Sequence, residues 1–356
     1  MDIDIDIDID IDMDVLGRIK SYLQLTRFQT VPQETIPAVV GASLAAGGLF
    51  DARILLWAVF GLLYHATGYS HNSLEDWKRG WDTDDPNKQH HPLNAGKMTE
   101  REAQIFVYLM VLVTVGYTLA IIQTYLALYM IIAGAIAGVV YNTVGKRTKW
   151  KFLFISFAHS STFAVPYLSI QGEITPVFFA GFAYVFFWVV FQISISGEVM
   201  GLTQDEEDNF LKGFGSSFEE AGEDYMVDIS RFIRAYSFGV RLIVIGLALG
   251  FAYLVKQEVG ALMELVGPFG VVELGILVVG AMSLVFTRNL LADGLYERME
   301  RVGNVAKIEI STQLMMLIAI APVIGAVELV GVFVLTLVWV VTFNKIAWGT
   351  LLAPDV

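Results

Sequence analysis

The chain has 356 residues, of which 55% are hydrophobic and only 17% are charged, and its mean hydropathy is +0.60. It contains no cysteine, which excludes disulfides, thiolate metal sites and a cysteine nucleophile. The net charge of −13 argues against nucleic acid as a partner. Such acidity fits solvated acidic loops, and it also fits a protein surface exposed to a high-salt cytoplasm.

The chain begins with an alternation of aspartate and isoleucine that ends at Asp14. Alternation is typical of a strand, but the closely spaced like charges repel one another, so residues 1–15 are predicted to form a disordered acidic tail. The segment lacks the basic start and apolar core of a signal peptide. Residues 16–28 mix basic and apolar side chains at helical spacing, which predicts an amphipathic helix in the membrane interface. Residues 16–356 are predicted to form one transmembrane domain.

Long apolar runs dominate the rest of the chain, and several reach the roughly 20 residues that cross a bilayer. They predict an all-α fold, a polytopic transmembrane helix bundle of nine or ten spans. Glu328 and Gly331 interrupt the final run, whereas Pro322 is compatible with one longer, kinked helix. The ten candidate spans are 36–50, 54–71, 103–122, 124–141, 152–170, 175–195, 235–255, 266–287, 310–327 and 332–352.

Basic residues cluster in the loops after the second, fourth, sixth and eighth candidate spans. The alternate loops carry only Arg53 and Lys256. By the positive-inside rule, the N-terminus and the acidic loops 72–102 and 196–234 are predicted on the cytoplasmic side of the cell membrane. Four spans separate these two acidic loops, so they should face the same compartment.

The first acidic loop offers oxygen ligands for a hard cation. If the second span continues helically into the loop, Asn72 and Asp76, four residues apart, share one face. Mg²⁺ prefers one or two carboxylates together with phosphate oxygens. The loop also contains Asp82, Lys88 and His91, so it is a candidate diphosphate site, although a solvated acidic loop would have a similar composition.

The second acidic loop has Glu198 and Asp205 seven residues apart, which again places them on one helical face. Glu206 and Glu207 are better explained as a solvated helix start, where acidic side chains complement the helix dipole.

Polar residues at the end of the fourth span form a third cluster. Tyr141, Asn142 and Lys146 lie where this span meets water, and a cation there can stabilise a departing diphosphate. Lys149 and Lys151 are explained by the positive-inside rule alone.

Ionisable residues also occur within the spans. His65 and His159 lie in spans two and five, where such residues usually face the bundle interior. Interhelical hydrogen bonds are the favoured role for both histidines. Glu34 with Gln33, and Arg241 in the seventh span, are further polar candidates at the mouth of a cavity.

The first loop resembles the first aspartate-rich motif of the UbiA superfamily of membrane prenyltransferases. The match consists of Asn72-x-x-x-Asp76, a further aspartate, and Asp-x-x-Asn-Lys before His-Pro-Leu-Asn-Ala-Gly, which ends at Gly96. The second acidic loop occupies the place of the second motif of the family. Tyr141-Asn142 with Lys146 is similar to its loop after the fourth span, and Leu-Thr-Arg27 to its first segment.

The sequence also departs from the family pattern. Gly80 stands where the family has a second aspartate, and Asp82 is the next carboxylate. His91 replaces an arginine before proline. In the second motif Glu198 and Gly201 replace aspartates, and only Asp205 matches. The match extends over residues 18 to 215.

The resemblance implies an intramembrane, Mg²⁺-dependent prenyltransferase that moves a polyprenyl group from its diphosphate to a lipophilic acceptor. The implied partners are the polyprenyl diphosphate donor, the acceptor and membrane lipid. Acceptors of the superfamily include aromatic acids of quinone synthesis, archaeal glycerolipids, tetrapyrroles and carotenoids. The implied roles are catalysis for Asp76, Lys146 and Tyr141, substrate binding for Asn72, Lys88, His91, Arg27 and Asn142, and metal binding for Asn72, Asp76, Asp82, Glu198 and Asp205.

Two alternative functions remain at this point. One is a transporter of a divalent cation or a phosphorylated solute, although transporters bind their ligands near the midplane and the acidic residues here lie in loops. The other is a superfamily member that binds isoprenoid lipid without catalysis, which the altered second motif would explain.

Overall fold

The computed structural model describes residues 6–80, 88–200, 209–221, 224–258 and 270–351, and most of this chain is helical. The helices are α1 (Asp6–Leu25), α2 (Pro32–Ala46), α3 (Ala52–Lys78), α4 (Glu100–Ile121), α5 (Tyr125–Thr143), α6 (Lys151–Gln171), α7 (Pro176–Phe191), α8 (Glu198–Met200), α9 (Phe210–Gly213), α10 (Arg231–Glu258), α11 (Val271–Leu290), α12 (Arg298–Ala319), α13 (Ala321–Ile324) and α14 (Ala326–Trp348).

A helix occupies each of the ten positions at which the sequence predicts a span. In the described ranges, seven stretches are long and apolar enough to cross a membrane: α4, α5, α6, α7 continuing to Met200, α10, α11 and α14. Helix α2 has only 15 residues, and α3 and α12 carry many polar side chains. The prediction of a polytopic membrane bundle is therefore confirmed. Gly325, with φ 88°, separates α13 from α14, so the last apolar region contains a break.

Helix α1 differs from its prediction, because it begins at Asp6 and so includes much of the acidic segment for which disorder is predicted. Extending an existing helix costs less than starting one, and acidic residues suit a helix N-terminus. Residues 1–5 lie outside the described part. Near its end α1 packs on α14, where Gln24 Nε2 donates to the carbonyl of Ala347 at 2.7 Å.

Helix α2 lies between α3 and α6, and glycines allow this close contact. A Cβ on Gly61 of α3 would lie 2.7 Å from the Cα of Thr35 in α2. A Cβ on Gly41 of α2 would collide with the backbone carbonyl of Phe163 in α6. Since neither glycine has a side chain, the three backbones approach closely, and residues at the start of α2 can contact both neighbours.

The acidic segment 196–234 is not a plain loop. It contains α9 and two antiparallel strands, β1 (Ser217–Ala221) and β2 (Asp224–Asp228). Strand β2 also pairs antiparallel with β3 (Gly294–Leu295), which follows α11. The segments after the sixth and eighth predicted spans therefore contact each other, as expected if they lie at the same end of the bundle.

Candidate active site

Asn72 and Asp76 lie one turn apart on the same face of α3, because this helix continues beyond its apolar part to Lys78. Asn72 Nδ2 donates to Asp76 Oδ2 at 3.0 Å, and Lys146 Nζ donates to Oδ1. Burial raises the pKa of Asp76, but the positive charges of Lys146 and Lys88 outweigh that effect and hold the pKa below its usual value. The expected placement is thus confirmed, and Asp76 is an ionised carboxylate.

The residues that follow α5 turn back towards α3. A 3₁₀ turn at Gly145–Arg147 directs Lys146 to Asp76, with its Nζ 5.3 Å from the centre of the Tyr141 ring. Asn142 Nδ2 lies 3.0 Å from Nδ1 of His71 on α3. Asn142 Oδ1 is buried and has no hydrogen-bond partner among the described residues, so this oxygen is available to a ligand.

Glu198 lies at the start of the second acidic segment, and both of its carboxylate oxygens are engaged. Oε1 is 2.7 Å from Lys151 Nζ, and Oε2 accepts from the backbone N–H of Phe210 at 2.7 Å. Asn209 Nδ2 also donates to the Glu198 carbonyl. In this arrangement Glu198 ties α8 to α9 and α6, and its predicted role as a metal ligand stays a prediction.

The remaining predicted site residues have separate positions. Arg27 follows α1 with φ 46° and ψ 49°, a left-handed conformation that costs roughly 1–3 kcal/mol in a residue other than glycine. Its guanidinium lies 5.7 Å from the Tyr69 ring centre. The side chain of His91 is buried within the first loop, and Lys88 is close enough to Asp76 to affect its pKa. Asp82 and Asp205 lie outside the described residues.

A cavity of about 450 Å³ connects these groups. Its polar end is lined by Arg27, Asn72, Tyr141 and Asn142, together with residues that precede the second acidic segment. Those residues, Gln192, Ser196 and Gly197, belong to a π-helical segment, Gln192–Gly197, a feature frequent at functional sites. Both acidic segments thus begin at the same end of one cavity, which supports the predicted convergence.

Apolar side chains of α4 and α5 line another part of the same cavity. Those of α4 are Val111, Val115 and Leu119, and those of α5 are Leu128, Ile131, Ile132, Ala135 and Val139. Leu128 is 14 residues before Asn142, which corresponds to about 20 Å along the helix. The cavity can therefore accommodate a long apolar chain whose polar end lies near Asn72 and Asn142.

Three ionisable side chains of the cavity wall contact one another. Glu34 Oε2 lies 2.5 Å from His65 Nδ1, and Glu34 Oε1 lies 2.7 Å from His159 Nε2. The predicted interhelical hydrogen bonds of the histidines are confirmed. The sequence analysis missed that both histidines share one carboxylate, although all three residues were visible as ionisable groups in or beside apolar runs.

The expectation for Arg241 is wrong. Its side chain is fully buried and does not line the cavity. Nη2 donates to Thr312 Oγ1 at 2.9 Å, and the guanidinium lies 4.9 Å from the Phe191 ring centre. The reason is the phase of α10, which directs this residue towards α12 and α7.

Comparison with known proteins gives consistent results. A profile of the UbiA prenyltransferase family matches residues 35–212. The 4-hydroxybenzoate octaprenyltransferase of Shewanella sediminis is 26% identical over 205 residues, which are 56% of this chain and 68% of that protein.

Solved structures share the fold at low sequence identity. A UbiA homologue from Archaeoglobus fulgidus, bound to GPP and Mg²⁺, has a TM-score of 0.59 and 16% identity, covering 85% of this chain and 99% of that one. A homologue from Aeropyrum pernix has a TM-score of 0.55 and 14% identity, covering 86% and 98%.

Proposed function

This chain belongs to the UbiA prenyltransferase family and is an intramembrane enzyme of that class, and we propose that it transfers a polyprenyl group from its diphosphate to a lipophilic acceptor with Mg²⁺ as cofactor. The observation that carries the proposal is the position of the Asn72–Asp76–Lys146 cluster. It lies at the polar end of a cavity whose other part is an apolar groove between α4 and α5. One cavity can therefore bind an anionic head and a hydrocarbon tail together.

The residues at the polar end fit a magnesium ion. Asp76 is an ionised carboxylate beside the amide of Asn72, and Mg²⁺ needs only one or two carboxylates when substrate phosphate oxygens complete its shell. The ion would supply positive charge to the leaving diphosphate. The predicted ligands Asp82 and Asp205 belong to the same two acidic segments.

Residues of the chain itself bind and stabilise the diphosphate. Lys146 and Arg27 provide positive charge at the polar end, where charge accumulates on the leaving group as the allylic C–O bond breaks. Asn142 Oδ1, which has no partner among the described residues, and Tyr141 complete this wall. The apolar groove holds the prenyl tail and excludes water from the allylic cation.

The acceptor and the membrane orientation are part of the same proposal. A relative is named for 4-hydroxybenzoate, which supports an aromatic acceptor, and an archaeal glycerolipid or a carotenoid fits the cavity by its apolar body. We place the acidic segments on the cytoplasmic side of the cell membrane, because the basic residues cluster there. The family match favours this enzyme over the transporter alternative.

The decisive experiment compares Asp76→Asn with the wild type. Purified protein is incubated with labelled geranylgeranyl diphosphate, Mg²⁺, and either 4-hydroxybenzoate or a membrane-lipid extract, and prenylated product is identified by mass spectrometry. The substitution removes the charge that holds the metal and Lys146, so product formation should fall at least about 100-fold. Unchanged turnover of Asp76→Asn would refute the proposed site.

Glu75→Gln is the matched control. Glu75 is the adjacent carboxylate on α3, and it pairs with Lys78 and Arg79 at 3.6 and 3.5 Å. Its removal should leave product formation within about twofold. A cation flux into vesicles without prenyl donor, with no prenylated product, would instead support the transporter.

A further inference from the structure

The Glu34–His65–His159 triad has an unusual set of hydrogen-bond partners. Glu34 occupies one nitrogen of each histidine, and backbone carbonyls occupy the others. His65 Nε2 lies 3.0 Å from the Thr26 oxygen and 3.2 Å from the Arg27 oxygen, and His159 Nδ1 lies 3.0 Å from the Ile155 oxygen. The left-handed Arg27 is part of the turn that directs the first two carbonyls at His65. All four imidazole nitrogens therefore face oxygen atoms.

This geometry determines how many protons the triad can hold. A carbonyl only accepts, so the two nitrogens that face carbonyls must carry protons, which accounts for both protons of two neutral imidazoles. A third proton completes one of the two hydrogen bonds around Glu34 and makes the triad neutral. A fourth completes the other bond and gives a net charge of +1. The neutral triad can therefore take up one proton and gain a hydrogen bond without moving.

The triad lies where an acceptor would react. His159 is its most accessible member, with 9% of the side chain exposed against 2% for Glu34 and 0% for His65, and all three residues line the cavity. His65 is seven residues before Asn72, about 10 Å along α3. This separation leaves room for the allylic carbon and the head of an acceptor between the triad and the diphosphate site.

Two further polar atoms of the cavity wall lack partners among the described residues. They are Gln29 Oε1 and Ser196 Oγ, and both side chains are almost completely buried. A purely hydrocarbon occupant would leave both atoms unsatisfied, at a cost of about 1–3 kcal/mol each. The cavity therefore favours an acceptor with a polar head on an apolar body.

We propose that the Glu34–His65–His159 triad accepts the proton that the acceptor loses during prenyl transfer, an inference that rests on the proposed function. The allylic C–O bond breaks and its electron pair leaves with the diphosphate. An electron pair of the acceptor forms the new bond to the allylic carbon. The acceptor's C–H or O–H bond then returns its electrons to the acceptor, and the proton passes to the Glu34–His159 pair. The acceptor class is thus a molecule with a reactive aromatic or alkenyl C–H, or a hydroxyl group.

Glu34→Gln tests this assignment, because it replaces one oxygen by an amide and removes the charge that draws the proton. Two quantities are measured for each protein: Mg²⁺-dependent binding of labelled geranylgeranyl diphosphate without acceptor, and formation of prenylated product with 4-hydroxybenzoate or lipid extract. Donor binding should stay within about twofold of the wild type, and product formation should fall at least about 100-fold. His159→Gln, which leaves the Glu34–His65 pair intact, should behave in the same way.

Glu273→Gln is the matched control, since Glu273 pairs with Lys256 and does not line the cavity. Retained donor binding shows that a variant is folded. Product formation within threefold of the wild type in folded Glu34→Gln and His159→Gln would overturn the proposal. A wild type that neither binds donor nor forms product would instead refute the proposed function.

The wild type provides a test that does not depend on the folding of a variant. Acid that fills the triad with its fourth proton should stop product formation while donor binding, measured at the same pH, persists. A rate that follows donor binding at every pH between about 5 and 9 would contradict a role for the triad. The other titratable or charged groups that face it are Arg27, Tyr64, Tyr69 and Glu309.

Discussion

Gly61 of α3 lies directly against Thr35 of α2, so closely that a Cβ on the glycine would be 2.7 Å from the Thr35 Cα. Thr35 follows Glu34, whose carboxylate joins α3 to α6 through His65 and His159. The contact between the two backbones therefore sets the distance between the carboxylate and its first histidine.

Gly61→Ala should separate α2 from α3, because the new methyl group meets backbone atoms that cannot rotate away. Overpacking of this kind costs about 1–3 kcal/mol. We expect a lower thermal midpoint in detergent and weaker prenyl transfer. Gly116→Ala is the control, since nothing lies within 4 Å of its Cβ position, and it should be neutral or slightly stabilising. An unchanged midpoint for Gly61→Ala would show that the helices can move apart freely.

Lys146→Met should reduce transfer by removing the cation between Asp76 and the leaving diphosphate. Losing one preorganised group that stabilises developing charge typically lowers turnover by roughly 10²–10³-fold. Steady-state kinetics with labelled donor measure this loss. Lys146→Arg keeps the charge with a different shape, so it should retain more activity than the methionine variant. Equal activity of the two variants would mean that the charge is unimportant.

Glu198→Gln should mainly affect stability. The carboxylate holds Lys151 and the backbone N–H of Phe210, and an amide oxygen can replace only the second of these contacts fully. The expected result is a lower midpoint of thermal unfolding, with the Mg²⁺ concentration for half-maximal transfer changed by less than about tenfold. A much larger increase in that concentration at unchanged stability would identify Glu198 as a metal ligand.

Leu128→Trp should restrict the length of the prenyl donor, because Leu128 lines the apolar groove about 20 Å from Asn142. A short donor such as geranyl diphosphate should be used at an almost normal rate, whereas geranylgeranyl diphosphate should lose at least about tenfold in kcat/KM. Tyr129→Trp changes an exposed neighbour that does not line the cavity and should leave this ratio unchanged. A ratio unaffected by Leu128→Trp would place the tail elsewhere.

Local patterns in the sequence predicted the first half of the site. Asn72 and Asp76 share a face because four residues make about one helical turn, and Lys146 is close in sequence to the end of a predicted span. Such relationships depend on spacing along one element, which the sequence contains directly.

The triad depended on contacts that spacing does not reveal. Glu34 and His65 belong to different helices, and His159 comes from a third. Their meeting requires the glycine contacts on both sides of α2, and no periodicity indicates which helices pack together. The same limit explains Arg241, whose helix was predicted correctly but whose neighbours were not.

The π-helical segment at Gln192–Gly197 has a consequence for how variation in this chain should be judged. A π turn contains one more residue than an α turn and rotates everything that follows it. Deleting a single residue there would restore a regular helix and swing Glu198 through about 100° around its axis, away from Lys151. Hydropathy and span count would be almost unchanged, so related chains that differ in length at this point need not have equivalent second acidic segments.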